Sequence, residues 1–178
     1  MYKITKDVIY LSIADIAAGA GRVPVFKRKE KTMKIVFGCD PNAADFKLQL
    51  MDYVKGLGHE VADFGSDDPI YANVAIKCAK AVAAGEFDRG IVVCGTGIGV
   101  SIAANKVKGA YAACIHDVYQ AQRAELSNHA NIITMGAQVI GIELAKCMVK
   151  EYLSCTYDPN SRSKDKVQRI LDFENEEQ

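Results

Sequence analysis

Cys94 and the glycines that follow it are the residues whose types and spacing bear most directly on chemistry. Gly95-Thr96-Gly97-Ile98-Gly99 sets three glycines at alternate positions, after the apolar run Gly90 to Cys94 and before a segment with helical spacing. Glycines so placed let backbone approach a ligand closely, and the free N–H groups that open the next helix stabilise an anion. A thiol beside a helix start suits the role of base or nucleophile. The blander alternatives are a tight turn for the glycines and a small buried hydrophobe for Cys94. The spacing is GxGxG and no Lys-Ser/Thr pair follows the last glycine, so neither a dinucleotide fingerprint nor a P-loop is read here.

Two further strand ends carry reactive side chains, at Cys39-Asp40-Pro41-Asn42 and at His116-Asp117. Asp40 either orients a substrate hydroxyl or caps the next helix, and Asp117 equally suits an N-cap. His116 is a candidate acid/base group. His59 is expected in a solvated turn. The three histidines, at 59, 116 and 129, show no ligand spacing, so no metal site is predicted.

These residues need a scaffold that brings strand ends together, and the pattern from Met33 onward supplies one. Short runs rich in β-branched residues (Lys34 to Cys39, Glu60 to Phe64, Gly90 to Cys94, Ala110 to Ile115, Asn131 to Met135) alternate with helical segments at Ala44–Leu57, Tyr71–Ala84, Ile98–Lys106, Val118–Leu126, Gly141–Leu153 and Lys164–Glu174. That alternation predicts an α/β fold of three αβα layers, a Rossmann-like open sheet of five parallel strands. In such a sheet ligands bind beyond the carboxyl ends of the strands.

The chain has 178 residues, and its 22 basic and 22 acidic residues balance to a net charge of zero. No nucleic-acid or anionic-membrane partner is expected from that balance. Six scattered cysteines without a CxxC pair, and no secretory leader, predict free thiols in a reducing cytoplasm. Apolar stretches fall far short of the roughly 20 residues a membrane helix needs. Residues 1 to 32 stand apart from the domain at 33 to 178. They offer Ile9 to Ile13 as a short strand, the small-residue stretch Ala17 to Gly21, and the basic run Lys27 to Lys31, read as a solvated linker.

Three segments carry a resemblance to a known family: Gly38-Cys39-Asp40, the thirteen residues from Cys94 to Lys106, and His116-Asp117-Val118-Tyr119. Over residues 33 to about 173 the chain resembles the ribose-5-phosphate isomerase B and galactose-6-phosphate isomerase family. The resemblance implies a metal-free, cofactor-free aldose–ketose isomerase of phosphorylated sugars working through an enediolate. It implies Cys94 as the base between the first and second carbons, with the N–H groups of Gly95, Gly97, Ile98 and Gly99 stabilising the intermediate's oxygen. Thr96 and Asp40 would hold and polarise sugar hydroxyls, and Asn128 would reach the substrate from the opposite subunit of a homodimer or homotetramer.

The departures narrow the expectation. Pro41 stands where ribose-phosphate isomerases carry His, Ser127 where they carry the ring-opening His, and Gln138 where they carry a phosphate-binding Arg. Arg162 and Lys166 remain as phosphate contacts. The alternative for both is a solvated basic face. A tetrose phosphorylated on its fourth carbon has no hydroxyl with which to close the usual ring, so its isomerase needs no ring-opening acid. Arg123 to Asn128 and Ile132 to Gly136 also resemble the branch that isomerises erythrulose and erythrose 4-phosphates, and His116 or His129 could replace the missing group. The leading reading is therefore an isomerase of ribose 5-phosphate or of a tetrose 4-phosphate; one subunit of a hetero-oligomeric hexose-6-phosphate isomerase and a non-catalytic phosphosugar-binding protein are the alternatives.

Overall fold

The computed structural model describes residues 32 to 176. The expected strand at Ile9 to Ile13, the stretch Ala17 to Gly21 and the basic run Lys27 to Lys31 lie outside the described residues. In chain order the elements are β1 (Lys34–Cys39), a 3-10 turn (Pro41–Ala43), α1 (Ala44–Gly56), β2 (Glu60–Asp63), α2 (Tyr71–Ala83) and β3 (Arg89–Cys94). Then follow α3 (Ile98–Ala104), β4 (Ala112–Cys114), α4 (Val118–Asn128), β5 (Ile132–Gly136), α5 (Ile142–Ser154) and α6 (Lys164–Glu176). The five strands form one parallel sheet in the order β2-β1-β3-β5-β4.

The layers follow from strand alternation. Ile35, Phe37, Cys39, Ile91, Val93, Ile133 and Met135 share one core with Leu50 and Val54 of α1, Ala121 of α4 and Met148 of α5. Val36, Val92, Cys94 and Ile132 face the other side, where Val74 and Cys78 of α2 and Val100 of α3 cover them. Helices on both faces explain why central strands read as continuous apolar runs. Gly38 fits this packing by lacking a side chain: a Cβ there would meet Val74 Cγ2 at 2.6 Å and Cys78 Sγ at 2.8 Å. The chain leaves β1 toward one edge and β3 toward the other, so a crevice opens between these two strand ends.

Most expected boundaries fall within two residues of the observed ones. β4 is shorter than Ala110 to Ile115, because the Tyr111 N–H is taken by the Asn131 side chain at 2.8 Å before the ladder to β5 begins. His59 corrects the expectation of a solvated turn. It is buried, and its Nδ1 accepts the Met33 N–H at 3.3 Å, tying the start of β1 to the turn before β2. Among the described residues no helix is long and apolar enough to cross a membrane.

Candidate active site

Register places the principal candidates side by side. Cys39 pairs with Val93 and Val93 with Met135, so the next residues, Asp40, Cys94 and Gly136, stand level at the carboxyl ends of β1, β3 and β5. Cys94 is buried, and the Gly97 N–H donates to its Sγ at 3.1 Å. The loop therefore folds back over the thiol and fixes where the sulfur points.

That loop is clamped by β5. Ala137 N–H donates to the Cys94 carbonyl at 2.9 Å and Gln138 N–H to the Gly95 carbonyl at 3.0 Å. From the middle of β5, the buried Thr134 hydroxyl donates to the Gly97 carbonyl at 2.9 Å. Gly97 has φ +80°, and a Cβ on it would lie 2.7 Å from the Met135 carbonyl carbon. A Cβ on Gly136 would meet Thr96 backbone at 2.6 Å. Backbone meets backbone at both positions, so neither neighbour has a side chain to swing away. Gly97→Ala is expected to destabilise the protein by about 2–4 kcal/mol through left-handed strain and this clash. It should also lower kcat/KM by about 100-fold, the scale on which a displacement of about 1 Å acts, because the loop folded over the Cys94 thiol would shift. Thermal unfolding and steady-state kinetics check both effects.

Asp40 does not act as a cap. It precedes the 3-10 turn, but its carboxylate makes no capping bond, and Pro41 offers no N–H at the first position. Its Oδ1 is buried without a partner. A buried polar atom with no protein partner at the mouth of a crevice is available to a ligand hydroxyl. Asp117, by contrast, is the cap of α4, accepting the Gln120 N–H at 2.8 Å. His116 is exposed at the same end of the sheet, two strands away from Cys94.

Three other thiols are wholly or partly buried in the sheet and its helices. Burial pushes the Cys39 thiol up to about 11 and the Cys78 thiol up to about 12. Burial raises Cys114 as well. Cys39 and Cys78 therefore stay neutral at physiological pH and serve as packing atoms.

The remaining candidates lie at the opposite end. α4 starts beyond the carboxyl end of β4 and runs back, so Asn128 is about 15 Å along the helix axis from Val118. Ser127 accepts from Arg123 Nη1 at 3.4 Å, and Asn128 Nδ2 donates to the Arg123 carbonyl at 2.9 Å. The chain leading to Arg162 and Lys166 is anchored at this same end. Tyr157 N–H donates to Glu125 at 2.9 Å, and the Tyr157 ring stacks on His129 at 4.6 Å. Both Arg162 and Lys166 are exposed. The structure thus brings together Asp40, Cys94 and the loop from Gly95 to Gly99, and leaves Ser127, Asn128, Arg162 and Lys166 apart from them.

Comparison with known proteins gives this arrangement a context. Residues 35–170 match the ribose/galactose isomerase family. The chain belongs to that family. It is 46% identical over 149 residues to D-erythrulose-4-phosphate isomerase 2 of Mycolicibacterium smegmatis, covering 80% of this chain and 97% of that protein. To the D-erythrulose-4-phosphate isomerase of Pectobacterium atrosepticum it is 43% identical, covering 82% and 97%. The structure of Clostridium thermocellum ribose-5-phosphate isomerase B superposes with a TM-score of 0.77 at 39% identity, covering 82% of this chain and all of that one. As a member of the ribose/galactose isomerase family the chain is an aldose–ketose isomerase of sugar phosphates.

Sequence reasoning missed three buried or loop-contacting residues around the site of this family member. Thr134 is a lone hydroxyl in a fully buried strand, and Tyr71 lies against Gly99, where a Cβ would meet its ring at 2.5 Å. Lys47 falls on the apolar stripe of α1, three residues before Leu50. A polar residue on an apolar stripe was the available signal for Thr134 and Lys47. Tyr71 gave none. Gln138, which the sequence marks as a replacement for a phosphate-binding arginine, lies over Gly95, with its Oε1 3.1 Å from a Cβ placed there.

Proposed function

We propose that this isomerase interconverts erythrulose 4-phosphate and erythrose 4-phosphate. The observation that carries the reading is Ser127: a hydroxyl that is not an acid near neutral pH stands where ribose-phosphate isomerases would have a ring-opening histidine. His129 does not substitute for it in this chain, being stacked on Tyr157 with Nδ1 3.6 Å from Glu125. The names of the two erythrulose-phosphate relatives support the same assignment.

In the proposed reaction the Cys94 thiolate removes the proton from C1 of the ketose. The electron pair moves into the C1–C2 bond, and negative charge develops on O2, opposite the N–H groups of the Gly95 to Gly99 loop. Asp40 accepts a hydroxyl hydrogen of the substrate, and Thr96 holds a second hydroxyl. A proton passes from O1 to O2, with His116 as candidate carrier, and the Cys94 thiol returns its proton to C2. Arg162 and Lys166 bind the phosphate, and Ser127 and Asn128 line the sugar's far end.

Because the reacting half and the phosphate half lie at opposite ends of one chain, the site is completed by a second copy. A two-fold dimer is the simplest assembly that brings the halves together twice. Six free thiols suit the cytoplasm, where we place the reaction. We assign the activity to residues 33 to 178.

Assaying erythrulose 4-phosphate, ribose 5-phosphate, and allose and galactose 6-phosphates with the purified chain tests the reading, alongside a chain beginning at Met33. The highest kcat/KM is expected for the tetrose, by about 100-fold or more, with both chains. Preference for ribose 5-phosphate would shift the assignment to the pentose, and activity only with an added partner chain would sink the homo-oligomer.

A further inference from the structure

Thr134 stands in a strand whose other residues are apolar, Ile132-Ile133-Thr134-Met135-Gly136, and every one of them is buried. Valine has nearly the shape of threonine and a similar preference for strands, so packing gives no reason for a hydroxyl here. A buried hydroxyl needs a partner. Thr134 finds it in the Gly97 carbonyl, 2.9 Å from its Oγ1 and 37 residues away in sequence. That carbonyl already accepts the Ser101 N–H at 3.2 Å, so Thr134 is not needed to satisfy it. Pairing of buried polar atoms therefore gives a weak account of this bond.

What the bond holds gives a better one. By strand alternation Thr134 shares the face of Ile132, which α2 and α3 cover, and it pairs in register with Val92, two residues before Cys94. From there it reaches the peptide between Gly97 and Ile98. A trans peptide is planar, so fixing its carbonyl also fixes the direction of the Ile98 N–H on the opposite side. Ile98 N–H makes a long contact, 3.4 Å to Thr96 Oγ1, which leaves it available to a substrate oxygen. One peptide earlier, the Gly97 N–H donates to Cys94 Sγ at 3.1 Å. Gly97 is at φ +80°, and a glycine so placed has the freedom to let its flanking peptides turn. Thr134 thus braces the residue that links the sulfur to the Ile98 N–H. Hydrogen bonds in series polarise one another, so the hydroxyl also strengthens the donor that it fixes.

We propose that Thr134 is a positioning residue for proton transfer: its hydroxyl holds the peptide between Gly97 and Ile98 so that the Ile98 N–H faces the oxygen that becomes negative as Cys94 takes the proton. The role rests on the mechanism assigned above to Cys94 and the loop. Thr134 itself, fully buried beneath that loop, touches no substrate.

The test measures kcat and KM for Thr134→Val and Thr134→Ser with erythrulose 4-phosphate, or with ribose 5-phosphate where the wild type prefers it. Each kcat is expressed per folded molecule, counted by circular dichroism. Thr134→Val is expected to lower kcat by about 10- to 100-fold with KM within about twofold, the pattern of a group that acts in the transition state. Thr134→Ser keeps the donor and should stay within about threefold of the wild type. A purely structural bond would lower the unfolding temperature of Thr134→Val and leave kcat per folded molecule untouched, which overturns the proposal. Thr134→Ser as slow as Thr134→Val, or a loss confined to KM, overturns it as well. Should Thr134→Val fail to fold, Thr134→Ala against Thr134→Ser decides, equal kcat in the two overturning it. Full turnover in Cys94→Ala would remove the mechanism and this role with it, whereas an inactive Cys94→Ala beside a fully active Thr134→Val would remove the role of Thr134 only.

Discussion

Cys94→Ala is expected to lower kcat by about 1,000-fold or more while leaving the fold intact. General-base catalysis contributes about 100- to 10,000-fold, and no second thiol stands at this position of the crevice to take the role over. Cys39 and Cys78 are held as neutral thiols by burial. The structural cost is small, because Cys94 contributes one sulfur to a core otherwise made by Val36, Val92 and Val100. Loss of a single buried atom of this size costs about 1 kcal/mol. Circular dichroism should match the wild type, and exchange of the C1 hydrogen with deuterated water should stop along with turnover. A variant that keeps full turnover would place the base elsewhere.

Mixing two inactive variants should restore activity. If the cleft takes Cys94 from one subunit and Asn128 from its partner, a heterodimer of Cys94→Ala and Asn128→Ala has one cleft with both residues replaced and one with both intact. Random pairing makes half the dimers mixed, so the mixture recovers about a quarter of wild-type activity. Each variant alone should stay at least about 100-fold down. A site contained in one chain would give no recovery, because every cleft would then carry one of the two replacements. The measurement is a rate assay after joint refolding or co-expression of the two chains.

The sheet, its helices and the gathering of Cys94, Asp40 and the glycine loop at one end of it were legible because each rests on local pattern. β-branched runs marked the strands, and the glycines marked the loop. The placement of Cys94 and Asp40 side by side followed from their positions at the ends of neighbouring strands. His59 was misread because a turn residue between helix and strand is ordinarily solvated. Here the partner that buries it, the Met33 N–H, is 26 residues away in sequence. Tyr71 was invisible for a related reason, as was the contact of Gln138 with Gly95. Each meets the loop through a side chain whose direction depends on how α2 and β5 settle against β3. Lys47 was readable in principle, as a charge on the apolar stripe of α1, but its partner Asp63 lies on another element. The separation of Asn128 from Cys94 could be inferred only by resemblance until the direction of α4 was known.

The backbone clamp that β5 places on the Gly95 to Gly99 loop divides the enzyme's freedom to change. The loop after Cys94 has no slack at Gly97 or Gly136, so a side chain at either position would displace backbone. The approach to α6 is exposed at many positions and can vary without disturbing it. In the shared cleft proposed above, new sugar lengths would be reached by altering the surface one subunit lends to its neighbour. A dimer assembled from two such versions would carry two clefts of different taste, each with the same chemistry.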